Sequence, residues 1–267
     1  MGTAGWLLLG MMVSLNGKCY GAGFMTFASS QTAISWCRRQ CARSWRLITG
    51  PRKWFGGMIS STANGNAGKK VEVHAFQPLE NDKVMIAEPG SVRIIEVNRA
   101  GQIQKEINLK VLKPHPHTDT RLARKLADGN YLVCHEGDGT VREYREADGE
   151  VIWEYEVPMF GREAKRGHGL NAYGNRCFAT VRLKNGNMLI ATGNGHSVLE
   201  VTPDKAIVWQ IHQDDLPGIR LDWVTTLEVL LHGHYVIGNC HAGPGSPLLV
   251  ELDPKTKKVV WLPWLGV

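Results

Sequence analysis

One unit of strand and turn signals recurs four times along this chain, and that recurrence limits the fold more than any other property. Its clearest copy runs from Leu126 to Trp153, LADGNYLVCHEGDGTVREYREADGEVIW. Asp128-Gly129 and Asp148-Gly149 are turn signals, Glu136-Gly137-Asp138-Gly139 breaks the middle, and Val, Tyr, Leu and Ile fill the runs between. Short apolar runs joined by such turns read as antiparallel strands. Further copies start at Asn81, Asn185 and His232. Anchored on Asp82, Gly129, Gly186 and Gly233, the copies are 47, 57 and 47 residues apart. Anchored instead on Glu96, Glu143, Glu200 and Glu251, they are 47, 57 and 51 apart. Two independent anchors that agree this closely define a repeat.

A period of roughly 40–50 residues with several short strands per unit predicts a β-propeller. A fourth strand precedes each turn, at 71–79, 120–126, 178–183 and 224–230. The expected fold is therefore all-β, with four recognisable blades, each a four-stranded antiparallel sheet, at about 71–110, 117–157, 176–212 and 223–264. One sheet alone cannot cover both its faces; stacking blade on blade does. Trp153, Trp209 and Trp261 close three blades in the same (Val/Ile)-(Val/Ile)-Trp context and are expected to fill the gaps between blades. Lys105 stands there in the first copy. The repeated glutamate reads as a structural hydrogen-bonding position. Rings of four lie at the bottom of the propeller range. The unmatched N-terminus and the end at Val267 point to a truncated member of a larger ring, whose exposed blade faces would favour self-association.

The net charge of +6 is unevenly placed. Residues 1–70 hold nine Lys and Arg and no acid, so residues 71–267 carry 22 basic against 25 acidic groups. The repeats thus offer no cationic stripe for nucleic acid. Residues 1–60 form a basic, acid-free leader, read as a targeting segment, a disordered one or a non-native one, before the repeat region at 61–267. The apolar run Trp6–Leu15 is too short to span a bilayer. Cys37 and Cys41 have metal-like spacing but no second Cys or His pair nearby, so no metal site is expected. The six cysteines do not decide the compartment. The long spacing between the second and third copies comes from Pro158–Asn175, a Gly-rich charged loop of the kind that carries binding function; His212–Asp222 is a shorter one.

No phosphate loop, nucleophile elbow or His-Glu-x-x-His is present. Two groups of residues stand out instead. His74, His115, His117, Asp119, Arg121 and His168 sit at or before first strands, which in a propeller line the channel; converging there, they would form a ligand-binding mouth. Glu88, His135, Glu136, His196 and His241 lie at the turns after second strands, where they are either turn residues or a cluster of acid, base and ligand groups. Cys134 and Cys240, each before a His, read as buried thiols.

LADGNYLV…TVREYREADGEVIWEY and LKNGNMLIATGNGHSVLEVTPDKAIVWQI resemble the bacterial quinoprotein-like, or PQQ-like, propeller repeat, over about residues 61–261, and more distantly the arylsulfotransferase propellers. The resemblance implies the fold, and export to the periplasm or beyond; such repeats specify function poorly. Quinoprotein dehydrogenases hold pyrroloquinoline quinone between a Trp and adjacent cysteines beside Ca²⁺, and this chain has neither an adjacent cysteine pair nor a Ca²⁺ constellation. The arylsulfotransferases' channel histidines and arginine find a loose echo in His74, His115, His117, His168 and Arg121. The expectation is a non-catalytic scaffold that binds a protein or a small molecule. The alternative is a PQQ-dependent or sulfotransferase-like enzyme that uses the mouth histidines.

Overall fold

In each repeat, four runs with β-branched or aromatic residues alternate with turns that need left-handed backbone, and each repeat folds into its own four-stranded meander. The computed structural model describes residues 53–241, 243 and 246–261, with the backbone of strands at 13–15, 18–20, 32–39 and 42–49; side chains are described within 58–260. No helix occurs among the described residues, so none is long and apolar enough to cross a membrane. Strands β1 (Val13–Leu15), β2 (Lys18–Tyr20), β3 (Thr32–Arg39), β4 (Ala42–Thr49) and β5 (Lys53–Ile59) come first, with β3–β4–β5 forming an antiparallel sheet. The leader's other residues, including Cys41, lie outside the described ones.

Blade 1 is β6 (Ala75–Pro78), β7 (Val84–Glu88), β8 (Arg93–Val97) and β9 (Ile103–Asn108). Blade 2 is β10 (Ala123–Lys125), β11 (Tyr131–His135), β12 (Thr140–Tyr144) and β13 (Val151–Glu156). Blade 3 is β14 (Ala179–Arg182), β15 (Met188–Ala191), β16 (Val198–Val201) and β17 (Ile207–Ile211). Blade 4 is β18 (Val224–Val229), β19 (Tyr235–Asn239), β20 (Leu249–Asp253) and β21 (Lys258–Trp261). All pairs are antiparallel between neighbours in sequence. The fold is thus the expected all-β one with four blades. The chain divides into two compact units, Met1–Asn108 with blade 1 and Leu109–Val267 with blades 2 to 4.

In the first unit, Met58 of β5 packs with Val84, Ile86, Ile95 and Val97 of blade 1. In the second, side chains alternate between two interblade cores, as strand geometry requires. Met188 and Ile190 of β15 meet Leu132, Cys134 and Val141 of blade 2. Leu189 and Ala191, on the other face, meet Val224, Ile237, Val250 and Leu252 of blade 4. The second and third strands of blades 1 and 2 are buried throughout, because both faces are covered. The fourth strands alternate buried and exposed residues, as edges do.

The repeated glutamate and the closing-strand position meet in every blade. Glu96, Glu143, Glu200 and Glu251 pair across the sheet with Lys105, Trp153, Trp209 and Trp261, and a β-bulge follows each glutamate. The bulge re-aims the closing strand. The Trp153 indole then donates to the Pro203 carbonyl of blade 3 at 2.8 Å, and the Trp209 indole to the Pro254 carbonyl of blade 4 at 2.9 Å. Trp153 and Trp209 therefore bridge blades, by hydrogen bonds as well as by packing, while the Trp261 side chain lies outside the described ones. Trp209→Phe keeps most of the packing and removes the donor; the expected loss is about 1 kcal/mol of stability, read as a lower urea midpoint. No change would mean that the bond is redundant.

Candidate ligand-binding site

Six residues after the anchors at Asp82, Gly129, Gly186 and Gly233 stand Glu88, His135, Thr192 and Asn239, all polar and all at most 1% exposed. Buried polar groups need partners, and here they tie down turns. Glu88 accepts from Arg93 Nε at 2.8 Å and Asn66 Nδ2 at 3.0 Å. His135 Nδ1 lies 2.6 Å from the Asp119 carbonyl, which can only accept, so Nδ1 carries the proton and Nε2 accepts from the Tyr144 hydroxyl at 2.8 Å. Burial pushes the His135 imidazole down to about 4; the Asp119 carbonyl works against this and Arg142 reinforces it. Asn239 accepts from the Asp222 N–H at 2.5 Å and donates to the Arg220 and Pro247 carbonyls. Glu88 and His135, expected at turn ends either as turn residues or as acid, base and ligand groups, are both engaged in buried hydrogen bonds.

The register also separates two histidines that the sequence aligns. His135 ends β11, whereas β19 ends at Asn239, and His241 lies two residues beyond. That offset frees His241 to join a group in the second unit centred on Trp223. The His168 ring stacks on Trp223 with centroids 4.9 Å apart, and His241 stands edge-on to both at 5.3 Å. Phe178 meets Trp223 at 5.8 Å. The Arg121 guanidinium lies 4.8 Å over Phe178, and that of Arg176 5.8 Å over Trp223. Glu136, its carboxylate buried, holds both arginines, Arg121 through Oε2 and Arg176 through Oε1 at 2.5 Å.

Arg121, Arg176, Phe178 and Trp223 lead into first strands, Glu136 and His241 follow second strands, and the long loop brings His168. Gly193 joins blade 3 to blade 4 by exchanging backbone hydrogen bonds with Val224 at 3.0 and 3.1 Å. Its φ is +55°, and a Cβ there would sit 2.7 Å from the Phe178 ring. Only glycine suits that backbone and that space. Trp223 and His196 themselves hold positive φ, 45° and 52°. Such strain persists only where the surroundings enforce it.

Behind the rings lies Asp222, fully buried, with no hydrogen bond to either carboxyl oxygen. His196 Nδ1 is 3.2 Å from Oδ1 but already accepts the Trp223 N–H at 3.1 Å, while Nε2 donates to the Ala172 carbonyl at 2.6 Å. His241 is held below the usual imidazole range, by burial first and by His168 second, with Asp222 opposing. Beside this group the loops at 158–175 and 212–222 enclose an open cavity of about 360 Å³, lined by Phe160, Arg162, Tyr173, Gly195 and His212 among others.

The structure thus gathers His168 and Arg121 from the expected mouth with Glu136, His196 and His241 from the expected turn ends. Asp119 is buried in the segment before β10, two residues before Arg121. His115 and His117 are exposed in the lead to blade 2, where the His117 N–H donates to His115 Nδ1 at 3.2 Å. His74, in the first unit, pairs with Glu72 at 3.2 Å. Sequence reasoning missed Trp223, Phe178, Arg176 and Asp222. The available signal was a tryptophan outside the closing-strand context, directly after an aspartate that stands two residues before its strand, as Asp119 stands before Arg121. The described cysteines Cys134, Cys177 and Cys240 are not adjacent in the sequence, so they do not fit the cysteine pair that pyrroloquinoline quinone needs.

A crystal structure of a protein of unknown function from Bacteroides caccae is similar over 87% of this chain and 77% of its own, at 23% identity and TM-score 0.66. Virginiamycin B lyase from Staphylococcus aureus is similar over 88% of this chain and 67% of its own, at 12% identity and TM-score 0.57. A Lactobacillus plantarum protein is similar over 86% and 67%, at 13% identity and TM-score 0.55. At these identities the likeness is one of fold. No curated protein sequence matches the chain. A family model described as outer membrane protein assembly factor BamB matches residues 62–262, three quarters of the chain, with the blades just described inside that span. The chain belongs to this family of PQQ-like β-propeller repeat proteins.

Proposed function

We propose that the chain is a binding propeller whose site is the imidazole, indole and guanidinium group around Trp223, and that it takes an anionic ligand with a planar apolar part. The observation that carries this is the stack of His168 on Trp223 with Arg176 over the same indole. Flat faces hold a planar group by stacking, and guanidinium and imidazole N–H groups hold an anion. Glu136 fixes both guanidiniums in advance, which lowers the ordering cost of binding. The family's description as an assembly factor supports a protein partner as one bearer of such a group.

One observation favours the enzyme reading as a second choice. Asp222 is a buried carboxyl with no hydrogen bond, placed to act electrostatically on His241. A histidine backed by a carboxyl can move a proton. One experiment separates the two readings. The full chain is titrated with 4-nitrophenyl sulfate by calorimetry, and the 4-nitrophenolate released on sulfuryl transfer to a phenol acceptor is followed by absorbance. Saturable binding, weakened at least about tenfold by Trp223→Ala and by Arg176→Ala, without colour release, supports the binding reading. Colour release lost in His241→Ala would favour the enzyme. Binding indifferent to both single substitutions would remove this site from consideration.

A further inference from the structure

The glutamate on the third strand answers the turn between first and second strands in blades 2, 3 and 4. In blade 3, Glu200 Oε1 accepts from Asn185 Nδ2 at 3.1 Å and from Asn187 Nδ2 at 2.7 Å, the two residues flanking Gly186. In blade 2, Glu143 Oε1 accepts from Asn130 Nδ2 at 3.1 Å. An asparagine amide that donates to a carboxylate is a finished structural contact. In blade 4 the two flanking positions are His232 and His234, around Gly233.

Both imidazoles aim a nitrogen at one oxygen. His232 Nε2 lies 3.2 Å and His234 Nδ1 2.8 Å from Glu251 Oε1, with the two rings 4.3 Å apart. All three donor atoms fall within 4.8 Å of one another. The backbone holds them there. Gly233, at φ +94°, reverses the chain, its N–H donates to the Leu230 carbonyl at 2.8 Å, and the Leu230 N–H donates to the His234 carbonyl at 2.9 Å. Glu251 is fixed on β20 between Val236 and Trp261. Its carboxyl is held below the usual range, by the His234 hydrogen bond first, with burial opposing and His232 assisting.

Two imidazoles and a carboxylate form a nitrogen and oxygen donor set suited to borderline divalent ions. Metal–ligand bonds of about 2.0–2.2 Å put neighbouring ligand atoms roughly 3.0–3.4 Å apart. The imidazole nitrogens, 3.2 and 2.8 Å from Glu251 Oε1, already lie in or within a few tenths of an ångström of that range. The His232 side chain is 56% exposed, so an ion can enter from solvent and keep water in its remaining positions.

We propose that His232, His234 and Glu251 bind one divalent transition-metal ion of the zinc, nickel or copper(II) class. It would clamp the turn between β18 and β19 to β20. The site is independent of the group around Trp223.

The test uses the full chain without a histidine tag. Calorimetry with ZnCl₂ is expected to show one equivalent bound, and saturating zinc to raise the melting temperature by roughly 5 °C. The key variant is His232→Asn with His234→Asn. It installs the Asn-Gly-Asn turn that already works in blade 3, so it is expected to melt like the parent without metal. It should bind zinc at least about 100-fold more weakly and lose the thermal shift. With one equivalent of Cu²⁺, electron paramagnetic resonance of the parent should show coupling to two imidazole nitrogens, absent in the variant. Zinc bound equally by parent and variant, or no binding by the parent at 100 µM zinc, overturns the proposal.

Discussion

Arg142→Leu is expected to cost about 3–5 kcal/mol of stability. The Arg142 side chain is fully buried on β12, donates to Asp138 at 2.7 Å, Glu154 at 2.5 Å and the Lys110 carbonyl at 2.9 Å, and shares its burial with Asp138. Burial alone would raise the Asp138 carboxyl. The backbone N–H groups of Leu112 and Lys113 together with Arg142 overcome that and hold it below its ordinary value. Removing the guanidinium leaves a buried carboxylate with backbone donors but no opposite charge. Glu154 is 38% exposed and regains water, which keeps the cost near the lower figure. Urea unfolding of the parent and the variant measures it. Arg142→Leu with Asp138→Leu is expected to recover part of the loss, because removing both charges costs less than stranding one. A single-variant loss under about 1 kcal/mol would mean that the pair carries little of blade 2.

The second large effect depends on pH. His135 is buried, its ordinary pKa of about 6.5 is pushed down to about 4, and both ring nitrogens are engaged in the neutral form. Between those values the unfolded chain binds a proton that the folded chain refuses. Stability from this group is therefore complete above pH 6.5, and falls as pH drops toward 4. The total is about 3 kcal/mol, at 1.36 kcal/mol per unit. His241, also held low, adds loss of the same sign. His135→Gln isolates the term: its stability is expected to be lower at pH 7 and flatter between pH 6.5 and 4. Equal slopes for parent and variant would assign the acid sensitivity elsewhere. Asp138 and Glu154, whose carboxyls are held low, act in a more acidic window, losing their contribution as pH falls through their folded values.

The blades were legible because their signals are local. Glycine turns, β-branched runs and the glutamate–tryptophan pair each depend on a few neighbouring residues, and all repeat. The register of the second strands was less so. Cys134-His135 and Cys240-His241 look equivalent as dipeptides, yet the ladders make Asn239 of blade 4 the equivalent of His135 in blade 2 and put His241 beyond the strand. The group around Trp223 was half legible. Arg121 and Glu136 were named from their own blade, but their bridging to Arg176 of the next blade is a tertiary fact. His168 reaches Trp223 through a loop with no repeat to predict its path. Asp222 gave no signal by itself, since its distinction is the hydrogen bond it lacks.

The indole bonds from Trp153 to Pro203 and from Trp209 to Pro254 run from a blade to its successor, and blade 3 carries a donor, Trp209, on one flank and an acceptor carbonyl, that of Pro203, on the other. A gene segment encoding one such blade therefore arrives, on tandem duplication, with both halves of its own joint already matched. Copies can be added or lost in whole units without redesigning that bond, because its acceptor is a backbone carbonyl and only the tryptophan codon has to be kept.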